Sequence, residues 1–224
     1  MSSVMGVPAE LRPAEFVRAH TRLAPAPYVP EVRLHQADEA IGLWERTEQY
    51  GGVRMPPPFW AFAWAGGQAL ARHVLDRPQT VAGRTVLDLA SGSGLVAVAA
   101  ALAGAAAVTA SDIDGFAAAA TELNAAANGV AVASRLGDLL DGDGAGAEVV
   151  LAGDVFYERP MAERVLPFLE RARDRGALVL VGDPGRAYLP RDRFEALSVH
   201  DVPVVADLED RAVKATTVWR LPAS

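Results

Sequence analysis

Thr85-Val-Leu-Asp88-Leu-Ala90-Ser-Gly92-Ser-Gly94, running into the alanine-rich stretch Leu95 to Ala103, is the segment whose reading decides the fold. Thr85 to Leu89 is a short apolar run carrying one carboxylate, small residues follow it, and a helix-length segment comes next. That order predicts a buried strand, a tight turn and a helix. Gly92 and Gly94 take away the Cβ atoms that would keep a ligand off the backbone, and the N-terminus of the helix then faces that ligand.

Two cofactor classes use such a loop. Gly92-x-Gly94-x-x-Ala97 fits the dinucleotide pattern, and Asp112 follows about 20 residues later, where a ribose-binding acid is expected. Asp88 discriminates between them. A carboxylate at the mouth of the loop repels a pyrophosphate but suits the ammonium and sulfonium groups of S-adenosyl-L-methionine, so charge favours the methyl donor over NAD. The same residues also fit a plain glycine turn whose strand Asp bonds backbone amides.

With 224 residues the chain can bury a full core, and its 51% hydrophobic content is dominated by alanine rather than by any run long enough to cross a bilayer. No basic, then apolar, leader opens the sequence, so a cytoplasmic protein without a membrane partner is expected. The net charge of -7 and pI near 5.1 argue against nucleic acid as a partner. There is no cysteine, and His20, His35, His73 and His200 are scattered without ligand spacing, so no metal is expected.

Outward from the loop, short apolar strands alternate with helices. The sequence predicts a frayed terminus over residues 1–14 and a short helix from Pro13 to His20. A proline-rich break over Ala24 to Pro30 is then followed by a half-exposed strand at Glu31 to His35. Asp38 is a candidate N-cap for a helix reaching Glu48, with Ile41 and Trp44 on its apolar face. Downstream, strands are expected at Ala107 to Asp112, Val130 to Arg135, Glu148 to Ala152 and Ala177 to Val181. An antiparallel closing pair follows at Val199 to Val205 and Val213 to Leu221. The Asp141-to-Gly146 loop reads as a solvated turn, not a calcium loop. The pattern is α/β: a doubly wound, Rossmann-like parallel sheet with acids Asp88, Asp112, Asp138 and Asp154 following its first four strands. Residues 1–54 form an N-terminal helix-and-strand extension, and residues 55–224 the main domain.

These residues resemble a class I S-adenosylmethionine-dependent methyltransferase, whose seven-stranded sheet has its last strand inserted antiparallel. The resemblance implies that Asp88, Ala90, Gly92 and Gly94 hold the methionine end of the cofactor, that Asp112 holds the ribose with Ile113 beside it in the cofactor set, and that Asp138 meets the adenine. Trp64 and Gly67, at a helix start, join the cofactor set. Pro57-Pro-Phe-Trp60-Ala-Phe-Ala-Trp64-Ala-Gly66-Gly67, Asp154-Val-Phe156-Tyr157, Gly182-Asp-Pro-Gly-Arg-Ala-Tyr-Leu-Pro190 and Val218-Trp219-Arg-Leu221 narrow it further. They resemble the lysine methyltransferases of the electron transfer flavoprotein beta subunit. That family implies a protein-lysine N-methyltransferase with this subunit as its partner. Asp154 is then expected to receive the lysine cation, with Phe156 and Tyr157 as catalytic aromatic walls. Alternatives are methylation of a ribosomal protein or of a small amine such as nicotinamide, and a nonenzymatic cofactor-binding or interaction module.

Overall fold

The computed structural model describes residues 12–51, 54–144, 146–204 and 212–223. Its centre is a seven-stranded sheet. In chain order the strands are β3 (Thr85–Leu89), β4 (Ala107–Asp112), β5 (Ala133–Leu136), β6 (Val149–Gly153), β7 (Leu178–Asp183), β8 (Glu195–Pro203) and β9 (Val213–Arg220). They lie side by side in the order β5-β4-β3-β6-β7-β9-β8. The first five run parallel, while β9 is antiparallel to both β7 and β8, which gives the expected antiparallel closing pair. Parallel strands need a crossover, and a helix supplies it between most neighbours; β9 needs none because it returns as a hairpin from β8.

Central strands are apolar on both faces because both faces are covered. Val86, Val149, Leu151 and Leu180 pack against α3 (Ala65–Asp76) and α4 (Leu95–Leu102). Leu87, Val150, Val179 and Val181 alternate onto the other face, where α6 (Arg159–Asp174) supplies Val165, Phe168 and Leu169. The helix α4 shows no polar stripe, and the structure supplies the reason. A two-stranded ribbon, β1 (Arg22–Ala26) with β2 (Val29–Gln36), covers its outer side through Val29, Val32 and Leu34.

The ribbon corrects one expectation, since the proline-rich stretch read as a break holds the end of β1 and the start of β2. Pro25 is tolerated because a two-stranded ribbon leaves an edge where an N–H is not needed. The ribbon is fastened by α5 (Gly115–Ala127): Asn124 Oδ1 accepts the His35 N–H at 2.7 Å, and Asn128 Oδ1 accepts that of Arg33 at 2.9 Å. Helix α1 (Pro13–His20) spans its expected residues and brings Phe16 onto Phe116. In α2 (Ala40–Gly51) the buried residues are Leu43 and Thr47, whereas Ile41 and Trp44 of the expected apolar face are exposed, and Asp38, two residues before the helix, pairs with Arg22. The third strand of the sheet also begins at Ala133 rather than Val130. Residues 1–11 of the expected frayed terminus, and Val205, lie outside the described residues. Among those described, no helix is long and apolar enough to cross a membrane.

Two of the scattered histidines meet in space. His73 Nδ1 and His200 Nε2 both lie 2.9 Å from Ser198 Oγ, joining α3 to β8. Burial, chiefly, holds His73 neutral by lowering its pKa to about 4.

The N-terminus of α3 sits on the sheet at backbone contact. A Cβ added to Gly182 falls 2.0 Å from the Gly66 carbonyl oxygen, and one added to Gly66 falls 2.1 Å from that of Gly182. Gly153 is similarly closed, 2.9 Å from the Gly67 Cα. We expect Gly182→Ala to destabilise the fold by about 3 kcal/mol, because backbone on both sides cannot yield. Gly176→Ala, at a left-handed residue with open space around it, should cost about 1 kcal/mol. Denaturant unfolding of the two variants checks this, and equal losses would show that the contact does not constrain the fold.

Candidate active site

A cavity of about 600 Å³ opens beyond the carboxyl ends of β3, β4 and β6, where ligands bind in doubly wound sheets. The loop after β3 lines it in a conformation few sequences accept. Ala90 has φ +54°, Gly92 +53° and Gly94 +74°. The first of these is a strained position for a residue with a side chain. Gly92 faces the cavity as expected. Gly94 does not: its Cβ position lies 2.7 Å from Thr121 Oγ1, so the glycine is there to let α4 pack on α5, not to admit a ligand.

Asp88, the penultimate residue of β3, is 1% exposed, with Oδ2 accepting the Ala97 N–H at 2.9 Å. Burial pushes its carboxyl up to about 8 despite that hydrogen bond. Asp112 ends β4 and organises the loop from the side. Its Oδ2 accepts the Gly92 N–H and its Oδ1 that of Asp114, at 2.9 and 3.0 Å. Asp114 then caps α5 by accepting from the Phe116 N–H at 2.8 Å. Ile113, between the two acids, is 76% exposed at the cavity rim. Asp138 also lines the cavity, but its carboxylate is turned to α6, accepting from Arg164 at 2.6 Å and from the Leu140 N–H. The Arg164 guanidinium holds its pKa below the ordinary carboxylate value.

The opposite wall is built by the loop after β6, the start of α3 and the loop after β7. Asp154 adopts φ +56°, with its side chain only 12% exposed. Its Oδ1 accepts from both Nε and Nη2 of Arg186, at 3.2 and 2.8 Å, and its Oδ2 accepts the Gly67 N–H at 3.0 Å. Burial raises the Asp154 pKa, and the guanidinium beside it acts in the other direction. The Gly67 N–H is therefore committed to Asp154, although the residue lines the cavity. Trp64, N-cap residue of α3, donates Nε1–H to the Phe59 carbonyl at 2.8 Å. The Arg186 guanidinium carbon lies 5.7 Å from its ring centroid.

Tyr157 lines the cavity, 41% exposed, with its ring centroid 5.4 Å from that of Phe59. Phe156 is a correction. It is fully buried under α6 and packs edge-on against Phe194, so the aromatic wall is Phe59, Trp64 and Tyr157. The pair lies in the turn between β6 and α6, and that turn gives only the Tyr157 ring to the cavity. Three further contributors were not singled out from the sequence: Phe59, Arg186 and the buried Asp183 behind it. The phrase Gly182-Asp-Pro-Gly-Arg186 carried the signal for two of them, but spacing alone does not reveal that Arg186 reaches Asp154, 32 residues away.

Comparison with known proteins adds the lineage. Residues 69–154 match the family profile described as ribosomal protein L11 methyltransferase (PrmA). The electron transfer flavoprotein beta subunit lysine methyltransferase of Danio rerio is 36% identical over 197 residues, covering 85% of this chain and 76% of the relative. Its counterpart in Xenopus laevis is 34% identical over 216 residues, covering 92% and 86%. A solved structure from Thermoplasma acidophilum shares the fold, with a TM-score of 0.51 at 19% identity over 70% of this chain and 84% of that one. Identity sustained across most of both sequences makes this chain a member of the electron transfer flavoprotein beta subunit lysine methyltransferase family.

Proposed function

We propose that the protein transfers a methyl group from S-adenosyl-L-methionine to a lysine amine of the electron transfer flavoprotein beta subunit. The observation that carries this reading is the pairing of family membership with a two-sided cavity. One side is acidic and loop-built around Asp88, Ala90, Gly92 and Asp112, and the other is an aromatic wall of Phe59, Trp64 and Tyr157. The cavity is of the size that small-ligand sites have, and the open backbone at Gly92 leaves room for close approach. When bound, S-adenosylmethionine supplies an electrophilic methyl on a sulfonium.

The chain's own residues prepare the other reactant. The amine must be neutral to attack, yet only roughly one lysine in a thousand is neutral at pH 7.4. Cavity-lining acids Asp112, Asp114 and Glu158 draw a basic segment toward the rim. The aromatic wall then aligns the side chain and excludes water, which is how positioning lowers the barrier of an in-line displacement. Methylation of a ribosomal protein is a second reading, favoured by the profile match over residues 69–154. That stretch covers the loop and the acids but stops short of Tyr157 and Arg186, so it speaks for the donor side more than for the acceptor.

Incubation with the beta subunit and S-adenosylmethionine should add methyl groups by intact mass, and peptide mapping should place them on lysine. Methyls on glutamine, arginine or a free amino terminus would refute the acceptor, and modification of ribosomal protein instead would favour the second reading. No transfer to any candidate, with donor binding intact, would point to a nonenzymatic module.

Donor binding should depend on pH through Asp88. In the ligand-free protein burial keeps its carboxyl protonated up to about pH 8, whereas a cationic ligand favours the carboxylate. Binding therefore expels a proton, and affinity should fall as pH drops from 8 toward 6, by up to tenfold per unit. Calorimetry should show Asp88→Asn binding more weakly and with a flat pH profile. A parent profile that is itself flat would place Asp88 away from the charged end of the donor.

A further inference from the structure

We propose that Arg186 is a positioning residue whose guanidinium occupies the Asp154 carboxylate, preventing that acid from trapping the acceptor as an ammonium ion. This rests on the lysine-methylation reading, and it reverses the role the sequence suggests for Asp154.

The carboxylate is engaged from two directions. Gly67 N–H approaches Oδ2 from α3, and Nε and Nη2 of Arg186 approach Oδ1 from the loop after β7. Arg186 is itself fixed. Asp183 Oδ1 accepts the N–H groups of both Gly185 and Arg186 at 2.6 Å, which folds the turn, and the guanidinium carbon lies over the Trp64 ring. Its side chain is 18% exposed. The guanidinium is held by the Asp154 carboxylate and an aromatic face rather than left to solvent, while Asp183 fixes the backbone that carries it.

The chemical consequence follows from proton affinity. A lysine ammonium entering beside an uncompensated, buried carboxylate forms an ion pair, which raises the lysine pKa and removes a further tenfold of neutral amine for each unit. A guanidinium stays charged across the working pH range, so it satisfies Asp154 at every step of the cycle. Asp154 is then spent on holding Arg186 and α3 together, and the amine meets the rings of Phe59, Trp64 and Tyr157. The other charged or titratable groups around this wall are Asp183 at the end of β7 and Tyr157 and Glu158 from the loop after β6. Asp88 and Asp112 line the cavity from β3 and β4, Asp114 from the start of α5, Asp138 from the loop after β5 and Arg164 from α6. Burial raises both Asp183, to about 6, and Tyr157. All of them stay in place in the variants below.

The test is the pH dependence of turnover on the electron transfer flavoprotein beta subunit, at saturating S-adenosylmethionine, from pH 6.5 to 10. Arg186→Gln should move the midpoint of the kcat profile alkaline by about one unit or more. At pH 7.5 its kcat should fall about tenfold, with KM for the protein unchanged or lower. The double variant Asp154→Asn with Arg186→Gln removes both charges and should return the midpoint to that of the parent. A uniform loss at every pH in Arg186→Gln, or an alkaline shift retained in the double variant, overturns the proposal. Should Arg186→Gln fail to fold, the double variant, in which the Asp154 charge leaves together with the guanidinium, decides alone, and a midpoint shifted by a unit overturns the idea. A parent that turns over beside unshifted variants sinks this inference only. A parent that leaves every lysine of the subunit unmodified sinks the lysine reading, and this inference with it.

Discussion

The backbone contact between Gly66 and Gly182 is the constraint on which the rest of the site depends. With no Cβ on either residue, the start of α3 drops onto the ends of β6 and β7, and Gly153 meets Gly67 in the same way. At that distance the Gly67 N–H reaches the carboxylate of Asp154, and Asp154 N–H reaches the Gly182 carbonyl at 2.9 Å. Three segments far apart in the chain are thereby locked into one wall. Any side chain on the seam would lift α3 and pull the wall open, because well-packed interiors shift rather than compress.

Electrostatics follow from that geometry. The cavity collects carboxylates from successive strand ends, and each is handled differently. Asp88 is buried against a single backbone N–H and pushed toward its neutral form. Asp112 spends both oxygens on backbone N–H groups of its own loops, Asp138 leans on Arg164, and Asp154 on Arg186. Hydrogen bonding and ion pairing offset the cost of desolvating these acids, and only Asp88 is left to depend strongly on what enters the cavity.

The N-terminal segment has a structural consequence as well. The ribbon β1-β2 seals α4, whose residues Leu95 to Ala100 are all buried, and α4 in turn carries the loop that lines the cavity. Trp60, stacked on Phe116 at 5.8 Å, ties the stretch before α3 to α5. Loop conformations with positive φ at Ala90 and Asp154 persist because these neighbours fix them from several sides.

What the sequence determined by itself was the sheet, its doubly wound order and the acids at its edge. Apolar runs of strand length, the loop at Asp88 to Gly94 and the closing pair without a helix between them are local patterns, and local patterns survive in one dimension. Family-specific phrases around Trp64, Asp154 and Trp219 likewise pointed to the right lineage. Tertiary structure alone decided which of those residues face the cavity. Gly94 turned out to serve Thr121, Phe156 to serve the core under α6, and Asp154 to hold a guanidinium 32 residues away. Proline at position 25 did not exclude a strand once the pairing edge was known. Side-chain direction and long-range pairing depend on how elements close on each other in space, and in this chain that closure is set by glycines whose partner is another glycine's backbone.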